Sequence, residues 1–434
     1  MDKMADVLGR AGAWCGQNKY LSAIKNAFQN FMPLTIAGAI GVLWCNVLVN
    51  DQTGLGLFFK PIMALDFLNP AFQAVNFCTI SCITVGITLG IAQEIGVWNM
   101  GAERAGYIPG LVGLAAWLSV TNTSHMVDGA KEAFTGIAGN ELGATGLFTG
   151  MIIGVLSVEL FCFFEKQDAL KIKMPEQVPP GVARAFEVLV PATITLIITA
   201  CIGSACYNLT GSYLNDVIKN GIQGPLGAVG ATIPGVMIIY LVIMLFWLVG
   251  IHGNNMLSAV KEALFTPLAL ENVEKFNKGE KPTNIINMYA LQMWGEFGGS
   301  GVTIGLVIAI MIFGKREDNK AIATLSLVPG LFNINETVTF GIPMVLNPIL
   351  GIPFVVAPLI TIIIGYVLTV IGFCPVACLT VPWTTPPIVF GFLACGANVM
   401  GAVTQAILIV VSTVIYVPFL ISYEKYQNKQ AAEA

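Results

Sequence analysis

The stretch LGAVGATIPGVMIIYLVIMLFWLVGIHGNN, residues 226–255, decides what kind of molecule this is. It holds no Asp, Glu, Lys or Arg, and from Val236 to Val249 it is apolar without a break. A helix on the surface of a soluble domain keeps a polar stripe toward water. One that crosses a bilayer needs about 20 mostly apolar residues instead. The run therefore reads as a membrane span, and it ends on a histidine followed by glycine and two asparagines.

Working outward, further apolar segments lie near 33–50, 72–95, 104–120, 144–163 and 185–209, and again near 301–314, 347–373 and 389–422. Over all 434 residues the chain is 56% hydrophobic and 11% charged, against about 25% charged in soluble domains. The fold class expected is an all-α polytopic membrane protein with about ten transmembrane helices. Amphipathic surface helices are expected over residues 1–31 and Met256–Leu270, and re-entrant hairpins in two places. The N-terminal arm carries Lys3, Arg10, Lys19 and Lys25 among spaced apolar residues, which suits a helix lying on a membrane surface.

Other classes are excluded by composition. A net charge of -4 and the lack of a basic run speak against a nucleic-acid partner. The ten cysteines sit mainly in apolar stretches without a CxxC pair, so they read as small hydrophobes. No disulfide, metal or cofactor is expected. No GxxxxGK[ST] loop occurs, so the chain does not hydrolyse ATP itself.

Lysine and arginine set the orientation. They cluster in the arm, over 166–184, over 275–281, over 315–320 and at Lys425/Lys429. Placing every cluster in the cytoplasm requires even numbers of crossings between them. The first two intervals meet that requirement, with four segments and then two, so both termini are expected in the cytoplasm of a plasma (inner) membrane protein.

The stretch 255–347 resists simple crossings. Residues 285–314 start and finish on one side yet offer a single good span, because NMYALQMWGEFGGSG is broken by glycines. Residues 328–347 are broken by Pro329, Gly330, Gly341 and Pro343, with Glu336 in the middle. Irregular backbone survives at membrane depth only where protein or a watery cavity supplies hydrogen bonds, so interrupted segments point to a transport site. The first five spans look regular, which divides the chain into 1–220 and 221–434.

Two ionisable groups stand out there. His252 closes its apolar run, and Glu336 lies in LFNINETVTFGIPMVLNP (331–348), flanked by Asn333 and Asn335. A carboxylate at membrane depth is costly and ordinarily faces a cavity. Carboxylate, amide and imidazole together suit sugar hydroxyls, each of which both donates and accepts, and Trp383, Trp294 and Trp247 are candidate stacking rings. An ordinary structural role competes at each position: a helix cap for His252, a backbone-bonded carboxylate for Glu336, a hairpin brace for Glu296, an interfacial belt for Trp383. His125 reads as a loop residue, and Gly86–Gly90 as close helix packing.

GIHGNN (250–255), EFGGSG (296–301) and NINETVTFGIPMVLNP (333–348) resemble the IIC components of bacterial phosphotransferase systems. The likeness is to the lactose/cellobiose branch, which includes N,N′-diacetylchitobiose transporters. It runs over nearly the whole chain, including LGATGLF (142–148). The resemblance implies a homodimer joined through the N-terminal half and a C-terminal half that carries a β-linked disaccharide by alternating access. Diacetylchitobiose is favoured, and cellobiose or lactose also fit. It further implies phosphorylation of the sugar 6-hydroxyl by a separate IIB phosphocysteine protein fed by IIA. His252 and Glu336 would contact the sugar near that hydroxyl, with Glu336 as candidate base. Asn335, Asn333, Asn254, Asn140, Glu296, Trp383 and Trp247 complete the expected substrate site. With the sequence ending in QNKQAAEA, no fused IIB domain is expected, and the partners are expected to be separate proteins. An ion-coupled transporter of sugars or organic solutes, with Glu336 and His252 as a proton relay, is the competing reading; a channel or receptor fits the paired breaks poorly.

Overall fold

A computed structural model of the chain describes residues 14, 17–51, 55–125, 134–175, 177–225, 230–342, 344–345 and 347–433. Apart from a two-residue antiparallel pairing of Ser124–His125 with Phe134–Thr135, the regular structure among them is helical. The chain is an all-α polytopic membrane protein. Among the described residues five helices are long and apolar enough to cross a bilayer, and two bent pairs and two shorter apolar helices accompany them. About ten transmembrane helices and two re-entrant hairpins were expected, and among the described residues several apolar stretches are short or bent.

The chain forms two compact units. The first comprises Gln17–Gly38 and Ala74–Gly227. It contains most of α1 (Lys19–Leu43), with α2 (Ile83–Met100), α3 (Ile108–Val120), α4 (Ala144–Glu165) and α5 (Pro180–Thr210). Small residues let these helices meet backbone to backbone, as the Gly86–Gly90 spacing predicts. A Cβ on Gly86 would fall 2.1 Å from the Phe31 ring, and one on Gly150 would fall 2.2 Å from the Thr88 hydroxyl oxygen. Such close approach replaces the hydrophobic drive that lipid cannot supply. At the end of α4, buried Glu165 accepts from Arg104 and Arg184, each at 2.8 Å, and Glu187 closes the network at 3.0 and 2.9 Å.

The arm departs from expectation. Residues 1–13, 15 and 16 lie outside the described residues, and from Lys19 the chain is one helix to Leu43, extended by a wider turn over Trp44–Leu48. No boundary separates a surface helix from a span. Four basic residues suggested an interfacial helix, but Lys19 is held by Glu159 at 2.6 Å, and the apolar register simply continues.

The second unit comprises Ala39–Gln73 and Ala228–Ala434, so residues 39–73 group with the C-terminal half, where a division at 220 had put them with the N-terminal half. It holds α6 (Ile233–Leu248), α7 (Ser258–Asn277), α8 (Met288–Gly295), α9 (Ile304–Phe313), α10 (Glu317–Leu331), α11 (Glu336–Gly341), α12 (Gly351–Val370), α13 (Val389–Ala394) and α14 (Val399–Glu433). The pair formed by Met288–Val302 and Ile304–Phe313 bends by 60°. The helix expected over Met256–Leu270 is a turn at Gly253–Met256 followed by α7, and it is not a surface helix: Lys261 is 6% exposed and points inward. The apolar run 389–422 likewise divides into α13 and a 35-residue α14.

Candidate functional site

The glycine break builds the first wall. Helix α8 stops at Glu296, and Gly298, Gly299 and Gly301 take φ values of 68, 88 and 77°. Gly299 is needed twice over, for its left-handed backbone and because a Cβ there would lie 2.6 Å from the Asn335 side chain. The second wall comes from the break between α10 and α11. Asn333 turns the chain with φ +63°, a conformation asparagine tolerates better than most residues. Glu336 then opens α11.

Between these breaks and the end of α6 lies a cavity of about 430 Å³, within the ~300–1,000 Å³ range of small-molecule sites. His252, Asn254, Glu296, Asn333, Asn335, Glu336 and Trp383 all line it. Sequence separations of more than 130 residues thus close onto one space inside a single unit.

The side chains in it divide by their partners. Glu336 is exposed to the cavity, and its carboxylate makes no hydrogen bond or ion pair among the described residues. Glu296 is its opposite: the Tyr240 hydroxyl donates to it at 2.7 Å, and the Lys261 ammonium forms an ion pair with the same oxygen. Glu296 therefore does brace the break, through a pair that holds the hairpin to α6 and α7. His252 has the capping role considered for it. Its Nδ1 accepts from the Asn255 backbone N–H at 3.3 Å, capping the turn at Gly253–Met256, and the residue lines the cavity as well. A neutral ring with Nδ1 as acceptor leaves Nε2–H as the donor.

The asparagines are largely occupied. Asn333 accepts from the Gly298 N–H at 2.6 Å through Oδ1, and through Nδ2 donates to the carbonyls of Trp383 and, at 3.1 Å, Thr385. Asn335 donates to the Ser300 carbonyl at 2.8 Å, and Asn254 to the Ser300 hydroxyl at 3.0 Å. The Asn254 carbonyl oxygen is buried and without a hydrogen-bond partner.

Three residues considered for the site are not among those that line the cavity. Trp247 is 3% exposed, packed with its ring centroid 4.4 Å from that of His252, so its contact is with the imidazole. Trp294 is buried against Gly365 in the core. Asn140 belongs to the first unit, in a short helical turn at Gly139–Leu142, and its side chain lies outside the described residues.

Other lining residues went unnoticed in the sequence: Asn255, Gln292, Phe297, Ser300, Phe390 and Gln405. Gln292 precedes Glu296 by four positions, one helical turn, which was a readable signal. Gln405 was more legible still, as the one strongly polar side chain in the run VMGAVTQAILIVV (399–411).

Comparison with known proteins agrees with this architecture. Residues 25–358 match the family described as "Phosphotransferase system, EIIC". The chain is 32% identical to the PTS system oligo-beta-mannoside-specific EIIC component of Bacillus subtilis (strain 168), over 98% of this chain and 94% of that one. It is 30% identical to the cellobiose-specific EIIC component of Lactococcus lactis subsp. lactis (strain IL1403), over 98% of each. Among solved structures it resembles the transporter ChbC, the IIC component of the N,N'-diacetylchitobiose-specific phosphotransferase system. The TM-score is 0.88, with 29% identity over 97% of each chain. A match over most of the chain, in sequence and in fold, makes this protein a member of the phosphotransferase system EIIC family, the membrane component through which such systems transport sugar.

Proposed function

We propose that the cavity binds a β-linked disaccharide and presents its 6-hydroxyl for phosphorylation by a separate IIB protein. The observation that carries this is the unpartnered Glu336 carboxylate sharing a cavity with a neutral, oriented His252. A carboxylate at membrane depth ordinarily faces a cavity and has a functional role, and a sugar hydroxyl donating to it supplies the partner that the protein does not. The buried Asn254 carbonyl oxygen supports the same reading, as a second acceptor that lacks a donor.

In the mechanism we infer, Trp383, 45% exposed on the cavity wall, stacks on a sugar face. His252 Nε2–H donates to a sugar oxygen, and Glu336 accepts the proton of the 6-hydroxyl. As that oxygen attacks the IIB phosphocysteine phosphorus, the S–P bond breaks and the cysteine leaves as thiolate. Glu336 keeps the proton and later returns it to solvent. Catalysis here is mainly positioning with one proton acceptor.

Relatives named for oligo-β-mannoside, cellobiose and diacetylchitobiose motivate the β-linked class, with diacetylchitobiose favoured and cellobiose or lactose as competitors. The same proposal takes the two broken segments as re-entrant hairpins that move with the second unit in alternating access, in a homodimer joined through the first unit, with both termini cytoplasmic. The test is binding of radiolabelled diacetylchitobiose to purified protein, with cellobiose, lactose and N-acetylglucosamine as competitors, followed by phosphorylation in vesicles supplied with IIA and IIB. Delivery of phosphosugar that is lost in Glu336→Gln supports the proposal. Delivery of free sugar together with protons would favour the ion-coupled alternative.

A further inference from the structure

We infer that Gln405 is a positioning residue that holds the Trp383 platform in place, with Asn333 as its second clamp. The inference rests on the sugar-site reading above. The loop VPWTTPPI (381–388) has few ways to fix itself, because its three prolines, Pro382, Pro386 and Pro387, lack N–H donors. Within it the Thr385 N–H donates to the Pro382 carbonyl at 2.9 Å, and side chains from outside supply further bonds. At its start, the Asn333 amide donates to the carbonyls of Trp383 and Thr385 while accepting from Gly298 in the first break. At its end, Gln405 Oε1 accepts from the N–H groups of Ile388, at 2.7 Å, and Gly391, at 2.8 Å. Gln405 Nε2 donates to the Met293 carbonyl at 3.2 Å, tying the loop to α8.

Gln405 is 1% exposed, in the middle of an apolar helix. An amide there is costly unless its bonds are made, and the bonds it makes serve this loop. Backbone strain marks one clamped position, Ile388, and one clamp, Asn333. Ile388 has φ +77° and Asn333 φ +63°, two of the four non-glycine residues with positive φ among those described. A β-branched residue does not hold that conformation unaided, and such strain persists only where the surroundings over-determine it. Both clamps thus act on the backbone that carries Trp383, and through Gly298 and Met293 they join it to the hairpin that bears Glu296. Trp383 is thereby kept in one orientation before sugar arrives, which lowers the ordering cost of binding.

A double-mutant cycle tests this, with disaccharide affinity measured for wild type, Gln405→Leu, Trp383→Ala and the double variant. Gln405→Glu, which keeps the acceptor toward Ile388 and Gly391, serves as the conservative control. Expected is a loss of about tenfold for Gln405→Leu, shrinking to less than about twofold once Trp383 is absent, with Gln405→Glu between. A second readout needs no sugar: in protein labelled with 5-fluorotryptophan, the Trp383 resonance, assigned with Trp383→Phe, broadens or splits in Gln405→Leu and in Asn333→Gly. Equal losses in both backgrounds would make Gln405 a direct sugar contact and overturn the inference. An unchanged, sharp Trp383 resonance in both variants would do so too. Failure of Trp383→Ala and Glu336→Ala to alter binding would instead overturn the sugar-site reading, while the resonance still reports on the clamp.

Discussion

Replacing Lys261 by methionine isolates one electrostatic term of the cavity. Lys261 is 6% exposed and pairs with Glu296, whose side chain is 18% exposed. Breaking a fully buried pair by removing one partner costs about 3–5 kcal/mol, because an uncompensated charge is left behind. Two features reduce that figure here. Glu296 keeps the hydrogen bond from the Tyr240 hydroxyl at 2.7 Å, and its remaining exposure is to a cavity that water can enter. The expected loss for Lys261→Met is therefore about 2 kcal/mol, or about thirtyfold in the folding equilibrium. Glu296→Gln alone strands the lysine and should cost a similar amount. The double variant Lys261→Met/Glu296→Gln removes both charges and keeps the Tyr240 contact, so most of the loss should return, giving a coupling of about 3–4 kcal/mol. Thermal unfolding of detergent-purified protein measures all four members of the cycle. A double variant as unstable as the worse single variant would refute the reasoning, since the lysine would then matter for packing and not for charge balance.

Glu336→Gln should bind disaccharide within about tenfold of wild type yet phosphorylate it at least about a hundredfold more slowly with IIB present; normal turnover would exclude the base role. Gly299→Ala places a methyl 2.6 Å from Asn335 at a φ of 88°, and should cost about 3 kcal/mol from strain and overpacking together, read as a fall in unfolding temperature and loss of sugar binding. Gly86→Leu should disrupt the contact with Phe31, whose ring lies 2.1 Å from where a Cβ would sit, destabilising the first unit; an unchanged melting temperature would refute that close approach.

Membrane class, and the place of His252 and Glu336 on a cavity, were legible in the sequence because both rest on the cost of placing a group in lipid. An uncharged run such as 226–255 has no stable home in water, and a carboxylate in a broken apolar segment has few uses outside a cavity. The glycine spacing at 86 and 90 was readable for the same kind of local reason. What each polar side chain faces was beyond the sequence. Asn333 and Asn335 have the right chemistry for sugar hydroxyls, yet their amides are spent on Trp383, Thr385, Gly298 and Ser300, partners brought close only by folding. Trp247 packs on His252 and is not among the cavity-lining residues, for the same reason. Lys261 read as the polar face of a surface helix, since a lysine beside a glutamate suggests solvent; tertiary structure turned it inward by supplying Glu296, 35 residues away. Composition and periodicity fix which solvent a segment prefers, because that free energy is local and additive. Which of two like carboxylates stays free is decided by partners distant in sequence, and only the folded chain brings those partners to Glu296 and leaves Glu336 without one.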